Sequence, residues 1–404
     1  MPERLVVTLH GVEAGRLERG GRRSARFIPV PDGPALTVAA SDPKPWTPEL
    51  TRAWFEGLLP EGETRTRAAG RFGVQPEDWF ALLAEIGWEC AGAVAVFPED
   101  AAVPDAGYRP LTDAEVGERL DALPGRPYDV TDALRMSLGG AQDKLVLAWR
   151  DGGWALPVGG APSTHILKPE PATWPGLVAA EAWALALARS VTTAAEARSE
   201  EAIGSRPVLI ATRYDRRTGP DGRIDRIHQE DLCQALGLPS GDKYHEPPFR
   251  PHKPSLGRLA GILLARGVRP TAELERLLRD LVVTMALGNA DAHAKNWSLL
   301  HDGSGFVTLA PMYDIVPTGA FVPSQRFASL PVAGRFRIAE IGVEQILAES
   351  RECGLPVRQA RLILVETLEG LRDGLRTVPS PGVSAAVGGT VTAGVNRLLA
   401  DAAA

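Results

Sequence analysis

Three polar residues toward the C-terminal end have types and spacing that fit phosphoryl transfer. Asp291 and Asn296 bracket the hexapeptide Asp291-Ala-His-Ala-Lys-Asn296, and Asp314 comes eighteen residues after Asn296. A phosphoryl-transfer loop needs a carboxylate to accept the proton of the attacking hydroxyl and, five residues on, an amide oxygen to help hold magnesium. Trp297 to Leu300, a turn at His301-Asp-Gly-Ser-Gly305 and the run Phe306 to Leu309 read as a hairpin, which returns the chain beside its start. Asp314 then arrives next to Asn296. Magnesium takes few protein carboxylates and completes its shell with phosphate and water, so Asn296 and Asp314 suit it as ligands. The spacing alone is common, and a polar turn that happens to hold an Asp and an Asn is the plain alternative.

Upstream, Ser137-Leu-Gly-Gly-Ala-Gln-Asp-Lys144 runs straight into a strand-like Leu145 to Trp149. Glycine leaves room for backbone N–H groups near phosphate, so Gly139, Gly140, Ala141, Gln142, Asp143 and Lys144 are candidates for covering a triphosphate. The loop matches neither the Walker pattern nor the dinucleotide fingerprint, and Gly139-Gly140 reads equally well as a plain turn. The residues C-terminal to it add weight. A turn at Asp151-Gly-Gly153 leads to the strand Thr164 to Lys168, and a helix from about Leu177 to Arg189 carries Glu181. Phosphate loop, strand lysine and a helix glutamate to pair with it form the order of a kinase small lobe. An exposed strand-end charge at Lys168 and a solvated helix face at Glu181 are the alternatives. The strand Arg206 to Asp215 is placed as a hinge, whose backbone near Thr212, Arg213 and Tyr214 would bond an adenine edge.

The elements that must position these residues emerge from pattern. Leu5 to Leu9, a turn at Gly11 and a run to Phe27-Ile28 predict a small β-rich start, with helices over 48–57 and 77–86. Leu58 to Gly62 and Gly87 to Val94 fit neither helix nor strand period. A Pro, Asp and Gly-rich stretch from Ala101 to about Pro127 reads as a connector around one short helical piece. Beyond His228 the chain turns mostly helical: 228–237 stopped by glycine, Thr271 to Leu287 with Thr271 as N-cap, a stripe of Leu362, Leu364, Leu368, Leu371 and Leu375, and a last helix near the C-terminus. The whole predicts an α+β protein. A small β-containing subdomain with its connector (1–130) precedes a two-lobed kinase-like domain (131–404), with a small lobe at about 131–227 and a mostly helical lobe at about 228–404.

Of 404 residues, 44% are hydrophobic and 23% charged, with a net charge of -6. That describes a globular protein with no basic excess of the kind direct nucleic-acid binding leaves. The start Met-Pro-Glu-Arg has no apolar signal core and no apolar run approaches a membrane span, which predicts a cytoplasmic protein. Cys90, Cys233 and Cys353 are odd in number and far apart, so they read as buried thiols.

Taken together the motifs resemble those of the HipA serine/threonine kinases, the toxin half of a bacterial toxin-antitoxin pair. The matching words are Leu58-Leu-Pro-Glu-Gly62, Glu89-Cys-Ala-Gly-Ala93, Ser137 through Lys144, Thr164-His-Ile-Leu-Lys168, Arg213-Tyr-Asp-Arg216, Gln229-Glu-Asp-Leu-Cys-Gln234, the hexapeptide at 291–296 and Tyr313-Asp-Ile315. They run in the family's order over roughly residues 5 to 316. The resemblance implies ATP and Mg2+, with Asp291 as catalytic base, Asn296 and Asp314 on the metal and Lys168 on phosphate. It also places His293 near the γ-phosphate and an inactivating autophosphorylation on Ser137. The implied partners are a HipB-like antitoxin, through which alone DNA would be met, and a protein substrate such as a translation factor or aminoacyl-tRNA synthetase. Thr212 stands where the family commonly carries an acid, and Phe327 to Val332 departs from the family's Lys-Leu-Ala-Met type of segment. Two other functions share the fold: a small-molecule phosphotransferase, and a catalytically silent antitoxin-binding co-repressor.

Overall fold

The computed structural model describes residues 2–21, 24–40, 45–102, 105–123, 137, 139, 142–201, 203–322 and 324–404. The chain divides into two compact units, one of Met1–Pro169, Glu200–Ser240 and Leu300–Gly305, the other of Glu170–Ser199, Gly241–Leu299 and Phe306–Ala404. The β-rich start and the strands Leu145–Arg150, His165–Pro169 and Val208–Thr212 expected of a small lobe share one unit.

In the first unit, alternating burial along Arg4–Leu9 makes it an inner strand of a four-stranded antiparallel sheet, ordered Ser24–Pro29, Val12–Gly21, Arg4–Leu9, Val94–Pro98. Two expected helices lie beside it. Pro48–Glu56 is capped by Thr47, and Trp79–Ile86 by Asp78, whose side chain accepts from the Ala81 N–H at 3.0 Å. Trp54, Phe55, Trp79 and Phe80 fill the space between helices and sheet. The helix Gly62–Phe72 has no apolar period to betray it, because Thr64, Ala68 and Ala69 make its buried face. A second antiparallel array runs Gly107–Leu111, Gly153–Val158, Leu145–Arg150, His165–Pro169, Val208–Thr212. Val116 and Leu120 of the helix Asp113–Ala122 pack on it.

The expected helix at 228–237 is shorter than its pattern. Gln229–Asp231 is extended and the helix is Leu232–Leu236, because Asp231 and Gln234 form a capping box that fixes the start. Gly237 ends it in the left-handed region, φ 66°.

The second unit is built around Pro270–Leu287, which buries Leu274, Leu277, Leu281, Val282 and Met285. Thr271 is not its N-cap: Pro270 already has the helical φ and needs no N–H, so the helix starts one residue earlier. Leu256–Arg266, Val357–Thr377 and Ala385–Ala403 pack against it. Leu364, Leu368 and Leu371 are buried as expected, but Leu362 is 60% exposed. Two residues before Leu364 is about 200° round a helix, hence the opposite face. The three cysteines are free and buried, and burial pushes the Cys90 and Cys353 thiols up to about 12. No helix among the described residues is long and apolar enough to cross a membrane.

Two glycines of the last helix give opposite expectations. A Cβ at Gly394 would lie 2.2 Å from the Ala286 carbonyl oxygen, whereas nothing lies within 4 Å of one at Gly388. Gly394→Ala should therefore lose about 1–3 kcal/mol through overpacking. Gly388→Ala should gain about 0.5–1 kcal/mol through lower unfolded-state entropy. Thermal melts of the two variants check this, and equal shifts would contradict the close helix crossing.

Candidate phosphoryl-transfer site

Gly288 stops the long helix at φ 70°, and the chain from there to Trp297 is held almost atom by atom. The Ala290 N–H donates to Thr318 Oγ1 at 2.9 Å, and Thr318 Oγ1 donates to the Gly288 carbonyl at 3.2 Å. The Ala290 carbonyl accepts from both the N–H (3.1 Å) and the Oγ (2.7 Å) of Ser329. The Asp291 N–H donates to Asn289 Oδ1 at 3.2 Å, and the Asp291 carbonyl accepts from the His293 N–H at 2.7 Å. Trp297 Nε1 donates to the Ala292 carbonyl at 3.2 Å. Such a loop can hold a carboxylate in place because little in its backbone is left to rearrange.

Asn296 Nδ2 donates to the Asp291 carbonyl at 3.0 Å. That bond fixes which end of the amide points inward and turns Oδ1, the atom able to ligate a hard cation, the other way. Tyr313 donates its hydroxyl to the Lys295 carbonyl at 2.5 Å and lies 2.7 Å from Ser298 Oγ, while the Ala310 N–H meets the Ser298 carbonyl at 2.8 Å. The chain thus doubles back, as the hairpin spacing predicts, and delivers Asp314 next to a residue bonded to the Asp291–Asn296 loop. Asp314 has φ 56°, a conformation Asp tolerates better than most side chains. An amide oxygen and a carboxylate are hard donors of the kind magnesium takes. His293 is buried, with its ring edge-on to Tyr244 at 5.2 Å between centroids, and the Tyr244 hydroxyl donates to Asp291 Oδ1 at 3.0 Å. Tyr244 carries no motif signal in the sequence apart from its place within the helical region.

Below the loop lies a cavity of about 20 Å3 lined by Asp280, Thr284, Asn289, Asn296, Ser298 and Tyr313 among others, roughly the room of one water. Asp280 is 1% exposed; its Oδ1 accepts from Thr192 Oγ1 at 2.6 Å and Arg276 stands 3.9 Å from Oδ2. Burial pushes its carboxyl up to about 7, although Arg276 and Thr192 pull the other way and Glu273 adds to the rise. In the sequence it is one acid amid the apolar positions of a long helix, and only the fold turns it inward.

The first-unit candidates divide. Lys168 is half-buried on the strand His165–Pro169, in register with Leu209. Thr212 ends the adjoining strand opposite His165, and the Tyr214 hydroxyl donates to Gln229 Oε1 at 2.5 Å. Arg213 does not have a backbone donor to offer: its N–H goes to the Thr164 carbonyl at 2.8 Å. Its guanidinium is buried with Glu89 (3.3 Å), Ser163 (2.9 Å) and Asp215 (2.7 Å), and Arg216 also meets Glu89 and Asp215 at 3.1 Å. Burial alone would raise the Asp215 carboxyl; the two guanidinium groups hold it well below the usual carboxylate range. In the glycine loop, Asp143 pairs with Arg67 at 2.6 Å and Lys144 donates to the Gly139 carbonyl. Gln142 is half-buried, and Gly140 and Ala141 lie outside the described residues. Ser137 is 0% exposed; its Oγ donates to the Leu58 carbonyl and its N–H to the Glu89 carbonyl, both at 2.8 Å. Glu181, in the second unit on Leu177–Arg189, is 3% exposed, which removes the solvated-face alternative.

The fold is α+β and kinase-like, with the braced Asp/Asn loop on its helical unit. It is shared with a toxin-antitoxin complex of HipA, HipB and operator DNA from Shewanella oneidensis, at TM-score 0.80 and 24% identity, over 98% of this chain and 96% of that one. The chain belongs to the HipA family. Residues 5–97 match the HipA N-terminal domain and residues 136–375 the HipA-like C-terminal domain. Over 346 residues, 82% of this chain and 80% of the relative, it is 37% identical to Y4mE of Sinorhizobium fredii, a protein provisionally named a kinase. Over 309 residues, 74% of this chain and 70% of the relative, it is 31% identical to the serine/threonine-protein kinase toxin HipA of Shewanella oneidensis.

Asp280 gives a pH expectation. Its folded-state carboxyl titrates near 7 against an ordinary value of 3.8, so between those values the folded chain holds a proton that the unfolded chain has lost. Stability from this group is full below the unfolded value and falls as pH rises toward 7, by a few kcal/mol at most (about 1.4 per pH unit). Asp280→Asn keeps the shape and the Thr192 bond without a proton to lose. Its melting temperature relative to the parent should rise from pH 5 to pH 8, and a pH-independent difference would contradict the buried neutral acid.

Proposed function

We propose that this protein is an ATP- and magnesium-dependent serine/threonine protein kinase, the toxin of a toxin-antitoxin pair. The observation that carries the proposal is the Asn296 amide bound through its nitrogen to the carbonyl of Asp291, inside a loop whose backbone is otherwise occupied. That arrangement keeps the backbone that carries the Asp291 carboxylate and the Asn296 amide at fixed places relative to each other, as base and metal ligand require. Asp291 accepts the proton of a serine or threonine hydroxyl as its oxygen bonds the γ-phosphorus and the bond to the β–γ bridging oxygen breaks, leaving ADP. Magnesium, held by Asn296 and Asp314, would supply positive charge to the phosphate oxygens. Lys168 adds charge on the phosphates, His293 lies beside the base, and Thr212 and Tyr214 stand at the hinge strand. Arg213 belongs instead to the ionic core of its own unit.

The HipB and operator DNA in the Shewanella complex support a HipB-like antitoxin as partner, with DNA met only through it. The acceptor we infer is a protein hydroxyl, with a translation factor or aminoacyl-tRNA synthetase as the class the family suggests, and the setting cytoplasmic. Ser137 would be the switch. A phosphate adds roughly 1.5 to 2 negative charges and three acceptor oxygens, which the enclosed position of Ser137 against Leu58 cannot take. Phosphorylation would therefore expel the loop start from its place and set a like charge near the triphosphate.

Asp291→Asn should cut magnesium-dependent ATP turnover about 10²–10⁴-fold, the usual worth of a positioned acid–base group; Asp314→Asn should also cut it, through loss of a charged metal ligand, and both should melt near the parent's temperature. Turnover at the parent rate in either folded variant would overturn the kinase reading. Incubation with ATP should place one phosphate on Ser137 in the parent and none in Asp291→Asn, read by intact mass and peptide mapping. The phosphorylated form should bind ATP at least tenfold more weakly by calorimetry, and unchanged affinity would remove the switch.

A further inference from the structure

Tyr244 sits on the candidate base without a part in the proposed reaction. Its hydroxyl donates to Asp291 Oδ1 at 3.0 Å. Its backbone neighbours are tied to the same loop: the Lys243 carbonyl accepts from the Ala294 N–H at 3.0 Å, and the His245 N–H donates to the Ser329 carbonyl at 2.9 Å, on the residue whose N–H and Oγ hold the Ala290 carbonyl. The ring is edge-on to His293 at 82°, and Lys243 Nζ lies 5.4 Å from its centroid. A side chain fixed at its backbone and at its ring brings the phenol to the carboxylate by construction.

The fold has little need of this contact. Tyr244 is 38% exposed, and a hydrogen bond at such a surface adds little to stability because water replaces it readily. The carboxylate has more need of it. A carboxylate can rotate about its Cβ–Cγ bond, where the terminal torsion is broad, and a general base works only if its lone pair faces the proton it takes. The bracing of the loop fixes the Asp291 backbone, and the Tyr244 hydroxyl acts directly on the side chain.

We propose that Tyr244 is a positioning residue for Asp291: by holding Oδ1 it sets the plane of the carboxylate. This rests on the reading of Asp291 as the base.

The test compares Tyr244→Phe with the parent and with Asp291→Asn, using magnesium-ATP alone and phosphate release to water as the readout. Tyr244→Phe keeps the ring against His293 and removes only the hydroxyl. The expected result is a fall of about tenfold in kcat, a part of the worth of the base, with an unchanged KM for ATP and an unchanged melting temperature. If Asp291→Asn is inactive while Tyr244→Phe keeps the parent's kcat, Tyr244 does not position the base and the inference is overturned. If Asp291→Asn turns over ATP at the parent rate, the base assignment itself has failed, whatever Tyr244→Phe does. A loss in Tyr244→Phe that comes with a lower melting temperature and a KM changed along with kcat assigns the residue a structural role, which also overturns the inference.

Discussion

A loop that must hold a carboxylate still has to give every one of its amides and carbonyls a partner, and in the second unit that constraint shapes what surrounds it. The chain from Gly288 to Trp297 has too few partners within itself. Thr318, Ser329 and Lys243 come from distant sequence to supply the rest, and Tyr313 takes the Lys295 carbonyl. Each bond is worth about 1 kcal/mol net, but leaving one of these groups buried and unpaired costs more than making it gains. The segments beyond Asp314 are therefore fixed to the loop by the loop's own requirements. The strand Phe327–Val332 takes part in this through Ser329.

The first unit solves a different problem with charge. Glu89, Arg213, Asp215 and Arg216 are all buried and mutually bonded, two acids with two guanidinium groups, so the cluster is close to neutral as a whole. Gly92 closes it from one side: its N–H donates to Asp215 at 2.8 Å, and a Cβ there would lie 2.6 Å from the Gln229 nitrogen. Two words of sequence more than a hundred residues apart thus describe one object. Buried ion pairs of this kind add little over an apolar core but are costly to break singly, typically about 3–5 kcal/mol for an orphaned partner. Through Arg213 they tie the end of the strand Val208–Thr212 to Glu89 and Cys90.

Whatever obeys a local rule is legible in the sequence. Alternation gives Arg4–Leu9, the glycine at 237 gives a helix end, and the spacing of Asp291, Asn296 and Asp314 gives the candidate chemistry. Features that depend on a second segment are not legible. Arg213 reads as a hinge residue because nothing local announces that Glu89 and Ser163 will enclose it. The helix Gly62–Phe72 stays hidden because small side chains bury without leaving a hydrophobic period. Tyr244 and Asp280 escape notice since one gains its meaning from a carboxylate 47 residues on and the other from the inward turn of a helix.

The left-handed backbone of Asp314 bears on how such a chain ages. At φ 56° the residues accepted at least cost are Gly, Asn and Asp itself. Codons for Asn and Gly each lie a single base away from those for Asp, so common mutations at this position erase the negative charge and leave the turn relaxed. On the proposed reading of Asp314 as a magnesium ligand, a lineage would thus fall silent as a catalyst without first becoming unstable. Position 314 would then separate the loss of chemistry from the loss of the protein.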